Sequence, residues 1–187
     1  IYFEMKGDVK QIDIPGVIGP YKITKIGNES FQGNHNITRI TIPATITEIE
    51  EDSFKGCHRL KDVLFQDPGT LVYIGEGAFE GNKLLKRIVI PKSVVSIDYY
   101  ALALCKSLEK VIFEEGSQLT SIGQQAFQNC KSLTNITIPS SVTSIDSYAF
   151  GDTYALSDVY YDGTFEKWCD MTIGEFASPM RYCDHIY

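Results

Sequence analysis

Leu133-Thr134-Asn135-Ile136-Thr137-Ile138-Pro139-Ser140-Ser141-Val142-Thr143-Ser144-Ile145-Asp146-Ser147-Tyr148-Ala149-Phe150 is the stretch that decides the fold. Ile136 and Ile138 alternate with polar residues, the pattern of a half-buried strand. Pro139 has no N–H to give to a ladder and ends that strand. Ser141 to Ile145 is a second short extended piece with Val142 and Ile145 apolar. Ser147 to Phe150 reads as a helical segment of one to two turns, with a small residue, Ala149, just before a large one.

The same order of residues recurs. Phe31, Phe54, Phe79, Leu102, Phe127 and Phe150 are spaced by 23, 25, 23, 25 and 23 residues. Five before each anchor stands Ile26, Ile49, Ile74, Ile97, Ile122 or Ile145. Six after stands Ile37, Leu60, Leu85, Leu108, Leu133 or Leu156; nine after, Ile40, Val63, Ile88, Val111, Ile136 or Val159. Eleven after stands Ile42, Phe65, Ile90, Phe113, Ile138 or Tyr161. The 23-residue connections contain Ile-Pro (Pro43, Pro91, Pro139), whereas the 25-residue ones carry the turn-rich segments Gln66 to Leu71 and Glu114 to Leu119.

Each unit is therefore one coil of a solenoid. A single coil cannot bury its own apolar row, and a stack buries a continuous one. The expected fold is a right-handed, β-rich coil stack of about six 23/25-residue repeats with short helical segments. The expected organisation is 1–25 an N-terminal partial coil and cap, 26–161 the solenoid, and 162–187 a C-terminal unit and cap. Ile12, Ile14 and Pro15 occupy the slots of a partial first coil, and Gly16 to Lys22 reads as a hairpin. Phe165 to Trp168 reads as a short closing helix. Caps are needed because open solenoid ends expose strand edges.

Val142 to Phe150, and Phe127-Gln128-Asn129-Cys130-Lys131-Ser132-Leu133 through Pro139, closely resemble the repeats of the BspA-like leucine-rich repeat family. Val159 to Thr164, Trp168, Thr172-Ile173-Gly174 and His185-Ile186-Tyr187 resemble its terminal unit. The resemblance implies a bacterial, sometimes protozoan, cell-surface or secreted protein that adheres to host or neighbouring-cell proteins. Two features depart from pattern. Ser141 stands where an ordinary leucine-rich repeat places Asn or Cys, so the usual asparagine ladder is expected to be absent. The fourth coil has Leu102 in place of Phe, which leaves it less filled or compensated by Leu104.

Composition narrows the function. The 187 residues are 43% apolar, enough for one domain with a core. The net charge of −7 and pI near 5.0 argue against a nucleic-acid partner. No run approaches 18 apolar residues, so no membrane insertion is expected. Ile1 to Met5 does not read as a signal peptide, and the chain reads as a mature form or an excised fragment.

Catalytic and metal chemistry find no motif. There is no G-x-G-x-x-G or P-loop sequence, and the three histidines offer no partner for a triad. His35 and His58 share a slot in successive coils and can approach each other, but solvated loop histidines are the simpler reading. The acidic run Glu48, Glu50, Glu51, Asp52 lacks the spacing of a calcium loop. No cofactor or metal is expected. Asn28-Glu29-Ser30, Asn36-Ile37-Thr38 and Asn135-Ile136-Thr137 match the glycosylation pattern, which matters in a eukaryotic secretory pathway alone. Cys57, Cys105 and Cys130 occupy one slot, three after the anchor, and read as small buried residues. Stacked side chains point in parallel, which suits a Cys105–Cys130 disulfide poorly. A bridge between Cys169 and Cys183 stays open.

What remains is surface. Ten residues after each anchor, the leading strand presents Thr41, Leu64, Val89, Ile112, Thr137 and Tyr160. Lys61, Lys86, Arg87 and Lys110 flank the apolar part of this row. An apolar centre with a charged rim is the anatomy of a protein interface, although cross-strand pairing of β-branched residues also explains such a row. The expected function is a non-enzymatic protein-binding module for an extracellular protein, with self-association left open. The alternative is a structural spacer in a larger surface protein.

Overall fold

The computed structural model describes residues 9–177 and the backbone of 185–186. In chain order the elements begin with β1 (Gln11–Asp13), β2 (Val17–Ile18), β3 (Tyr21–Lys22), β4 (Lys25–Ile26), β5 (Arg39–Ile42) and β6 (Glu48–Ile49). The middle holds β7 (Asp62–Phe65), β8 (Tyr73–Ile74), β9 (Arg87–Ile90), β10 (Ser96–Ile97), β11 (Lys110–Phe113) and β12 (Ser121–Ile122). The chain closes with β13 (Asn135–Pro139), β14 (Ser144–Ile145), β15 (Asp158–Asp162), α1 (Phe165–Cys169), β16 (Thr172–Ile173) and β17 (His185–Ile186).

Two rows of parallel strands run up the stack. The short strands form one seven-stranded sheet, β16-β14-β12-β10-β8-β6-β4, in which each isoleucine five before an anchor sits beside the next: Ile26 with Ile49, Ile49 with Ile74, and on to Ile145 with Ile173. The coil stack thus runs on past Tyr161 through β16 and β17, with α1 in the connection. The leading strands do not form one sheet. They pair as β1-β5-β7, β9-β11 and β13-β15-β17. The Gly16–Lys22 stretch is the antiparallel β2–β3 hairpin.

The repeat slots are the core. Leu60, Leu85, Leu108, Leu133 and Leu156 have no exposed surface, and the isoleucines and valines nine after the anchors are all buried. Each such side chain contributes about 1.5–3 kcal/mol of burial. The anchor rings stack along the axis, Phe31 on Phe54 at 5.1 Å, Phe54 on Phe79 at 5.2 Å and Phe127 on Phe150 at 5.3 Å. Leu102 interrupts that column but is itself fully buried, with Ala103 buried beside it.

The segment around each anchor differs from the expected helix. Residues two before the anchor (Glu29, Asp52, Gly77, Tyr100, Gln125, Tyr148) and two after it (Gly33, Gly56, Gly81, Leu104, Asn129, Asp152) all have positive φ. A helix would send every N–H along its own axis to residue i−4. Here the amides alternate. Ser53, Lys55 and Cys57 bond locally to Glu50, Asp52 and Phe54, whereas Asp52, Phe54 and Gly56 donate to Glu76, Ala78 and Glu80 of the next coil. Left-handed residues at both ends turn those amides along the solenoid axis, so the segment is a ladder of turns. Among the described residues α1 is the α-helix; its N-cap Thr164 accepts from the Lys167 N–H, and its Trp168 is buried, edge-on to Tyr161 at 5.2 Å.

Other side-chain ladders reinforce the stack in place of the asparagine ladder that the Ser141 slot lacks. Three residues after the anchor, Cys57 Sγ donates to the Phe31 carbonyl at 3.1 Å, Cys105 Sγ to Phe79 at 3.2 Å and Cys130 Sγ to Leu102 at 3.3 Å. Asn82 Nδ2 donates to Phe54 at 3.0 Å, and Thr153 Oγ1 to Phe127 at 3.0 Å. The slot needs one short donor, and asparagine, cysteine and threonine all supply it. The Ser141 slot also bonds: Ser93 and Ser141 hydroxyls donate to the Leu71 and Leu119 carbonyls, each at 2.7 Å.

Candidate protein-binding face

The three-way split of the leading strands shapes the surface that the sequence singled out. Breaks fall between β7 and β9 and between β11 and β13, and each coincides with a 25-residue coil. Two local causes meet there. The longer connections, Gln66 to Leu71 and Glu114 to Leu119, add two residues on this side of the stack. Within the paired strands, Gln66 N donates to the Ile42 carbonyl and Glu114 N to Ile90. Across the breaks the equivalent positions are Pro91 and Pro139, which have no N–H to offer Phe65 and Phe113.

A cleft of about 710 Å³ lies at the first break and one of about 410 Å³ at the second. The candidate residues divide between them. Leu64, Val89, Lys61, Lys86 and Arg87 line the first. Ile112, Lys110 and Tyr160 line the second. Leu64 is 47% exposed and Tyr160 40%, while Val89 and Ile112 sit opposite each other in register and are half-buried. The row is thus continuous across the Val89–Ile112 pair and notched on either side of it. Leu84, 42% exposed, joins the first cleft. Its signal was in the sequence: the other coils carry Asn36, Arg59, Ser107, Ser132 and Ala155 in that slot.

The clefts differ in charge. Asp62 is bonded by Arg39 at 3.2 Å, and Lys86 bonds Glu109 at 3.0 Å. Among the described residues Lys61, Arg87 and Lys110 have no ion-pair partner within 4.0 Å. The first cleft therefore carries three cations and one carboxylate. The second carries Lys110 against Glu114, Glu115 and Asp162.

The other singled-out groups stay apart from these clefts. His35 and His58 stack with ring centroids 5.6 Å apart, and His58 Nδ1 lies 3.0 Å from the Gly81 carbonyl, so it donates there. Among the described residues no three His, Cys, Asp or Glu side chains are grouped to hold a metal ion, and no helix is long and apolar enough to cross a membrane. Burial pushes the Cys57 thiol up to about 11 and Cys105 to about 12, and Cys130 is raised as well. Such thiols stay protonated and unreactive at neutral pH. Cys169 is exposed, and Cys183 lies outside the described residues.

The model of the BspA-type leucine-rich repeat region matches in six copies, over residues 3–118 and 65–173. The chain belongs to the BspA-type leucine-rich repeat family. Among solved structures, this BspA-type chain is similar to the pneumococcal vaccine antigen PcpA, with 27% identity and a TM-score of 0.76 over 86% of this chain and 42% of that one. It is also similar to a leucine-rich repeat protein from Bacteroides ovatus, with 26% identity and a TM-score of 0.65 over 94% of this chain and 50% of that one. A Treponema pallidum leucine-rich repeat protein shares the fold at 23% identity and a TM-score of 0.56, over 91% of this chain and 71% of that one. The BspA-type chain spans half or less of the first two of these structures. The search of curated proteins finds no match.

Proposed function

We propose that this chain is a non-enzymatic protein-binding module of a bacterial cell-surface or secreted protein, and that it adheres to host or neighbouring-cell proteins through its leading-strand face. The observation that carries this reading is the notched apolar row, Leu64 and Leu84 exposed beside Val89, then Ile112 and Tyr160, with charges at its rim. Apolar area that could be buried by a partner, ringed by polar groups, is what an interface offers. An aromatic such as Tyr160 belongs to the residue types enriched at hot spots. The fold shared with a pneumococcal antigen supports a surface or secreted location.

The test is the triple change Leu64→Thr, Val89→Thr and Ile112→Thr, which keeps β-propensity and removes apolar surface. A ligand captured from extracellular host or microbial proteins should bind the triple variant more weakly, while the circular dichroism and urea midpoint stay near those of the parent. Unchanged binding would make this face scaffold and favour the spacer reading.

A further inference from the structure

We infer that the cleft between β7 and β9 receives an acidic peptide segment, with an apolar side chain seated among Leu64, Leu84 and Val89 and its carboxylates on Lys61 and Arg87. This inference rests on the proposed binding role of the leading-strand face and adds the chemistry of the partner.

Three observations meet at this one place. The cleft opens where the sheet is interrupted, so its floor is a notch of about 710 Å³ and not a flat ladder. Its two exposed leucines present apolar surface to water. Its charge is opposite in sign to the chain as a whole, which carries −7. Asp62, the carboxylate at the cleft, is already engaged by Arg39, and Lys86 by Glu109, which leaves Arg87 and Lys61 as the two cations with no acid within ion-pair distance among the described residues. Arginine and lysine beside an apolar floor favour carboxylates that arrive with an apolar neighbour, because the charge pairs form at a partly dry rim.

The second cleft is an internal control. It is built by the same interruption, yet its charge is reversed, with Glu114, Glu115 and Asp162 against Lys110. A segment held by shape alone would enter both notches. A segment held by its carboxylates enters the first and avoids the second.

The experiment is a titration of the 15N-labelled chain, followed by amide chemical shifts, with two blocked synthetic peptides, Glu-Leu-Glu-Leu-Glu and Lys-Leu-Lys-Leu-Lys. At low salt the acidic peptide should shift the amides of residues 61–64 and 84–89 and leave 135–138 unmoved. These shifts should fade at 1 M salt, where screening acts over about 3 Å. The variant Lys61→Glu, Lys86→Glu, Arg87→Glu should weaken the interaction about tenfold or more, and the neutral variant Lys61→Gln, Arg87→Gln by less. Acidic-peptide shifts that are absent at millimolar concentration, spread equally over both clefts, or matched by the lysine peptide at residues 61–64 would overturn the inference. The two readings fail separately. A natural ligand lost with the threonine triple but kept by the glutamate triple would sink the acidic partner and leave the binding face standing.

Discussion

Asn82 is a place where a single substitution should make the protein more stable. It is fully buried, and its Nδ2 donates to the carbonyls of Phe54 at 3.0 Å and Phe79 at 2.7 Å, while its Oδ1 has no partner. A buried unpaired acceptor costs about 1–3 kcal/mol, and one neutral hydrogen bond contributes about 0.5–1.5 kcal/mol. Asn82→Cys would install the side chain that serves at 57, 105 and 130. It keeps one donor toward Phe54, gives up the bond to Phe79 and removes the orphaned oxygen. Taking the middle of each range, the change stabilises by about 1 kcal/mol. Asn82→Asp keeps the shape but turns an acceptor toward two carbonyls and should cost more than about 3 kcal/mol. Urea unfolding read by circular dichroism decides it, with an unchanged slope showing that the same cooperative unit unfolds. A loss of more than about 1 kcal/mol in the cysteine variant would refute the claim that this slot asks for one donor and no acceptor.

Leu133→Ala, in a fully buried central slot, should cost about 2–5 kcal/mol by the same assay. The buried thiols predict a loss of stability in alkali: their folded pKa values, about 11 for Cys57 and about 12 for Cys105, lie above that of an unfolded thiol near 8.5. The folded chain then keeps protons that the unfolded chain releases, so this stability is full below about pH 8.5 and is lost as pH rises toward the folded values. Replacing Cys57, Cys105 and Cys130 by Thr, the Thr153 solution, should flatten that part of the pH profile. In the native protein at neutral pH a thiol reagent should label exposed Cys169 quickly and those three slowly. Gly77→Ala should cost at least about 1 kcal/mol, because alanine resists its φ of +57°; its Cβ would also fall 2.0 Å from Asp52 Oδ1, so adding Asp52→Ala should recover part of the loss.

The period of large apolar residues made the coil stack legible, since the slots six and nine after the anchor are buried in every coil. The hairpin at Gly16–Lys22 and the helix beginning at Phe165 were legible as departures from the repeat at the two ends of the stack, where caps are needed. The segment around each anchor was not. Ala-Phe before a polar residue fits a helix locally, and only the neighbouring coil makes alternating left-handed residues worthwhile, by accepting the amides they redirect. The Cys slot showed its burial in sequence but not its bonding, because the acceptor is a backbone carbonyl one coil away. The apolar row was visible in full, yet its notches were not. The prolines and long connections stood in plain view, but their effect appears when two coils are laid side by side.

The alternation of coils sets how such a protein can lengthen. Each notch needs a long connection below it and a proline-bearing coil above. A gene that gained or lost one coil would set two connections of the same kind next to each other and shift every notch beyond the join. A gene that gained or lost two would leave the alternation unbroken. The heritable unit is then the pair, and each duplication of a pair brings one new notch. Because the rim residues are exposed and lie outside the core, a fresh copy starts with its parent's charge and can change it without disturbing the stack. The opposite charges of the two notches in this chain are the outcome expected of such copies once they have diverged.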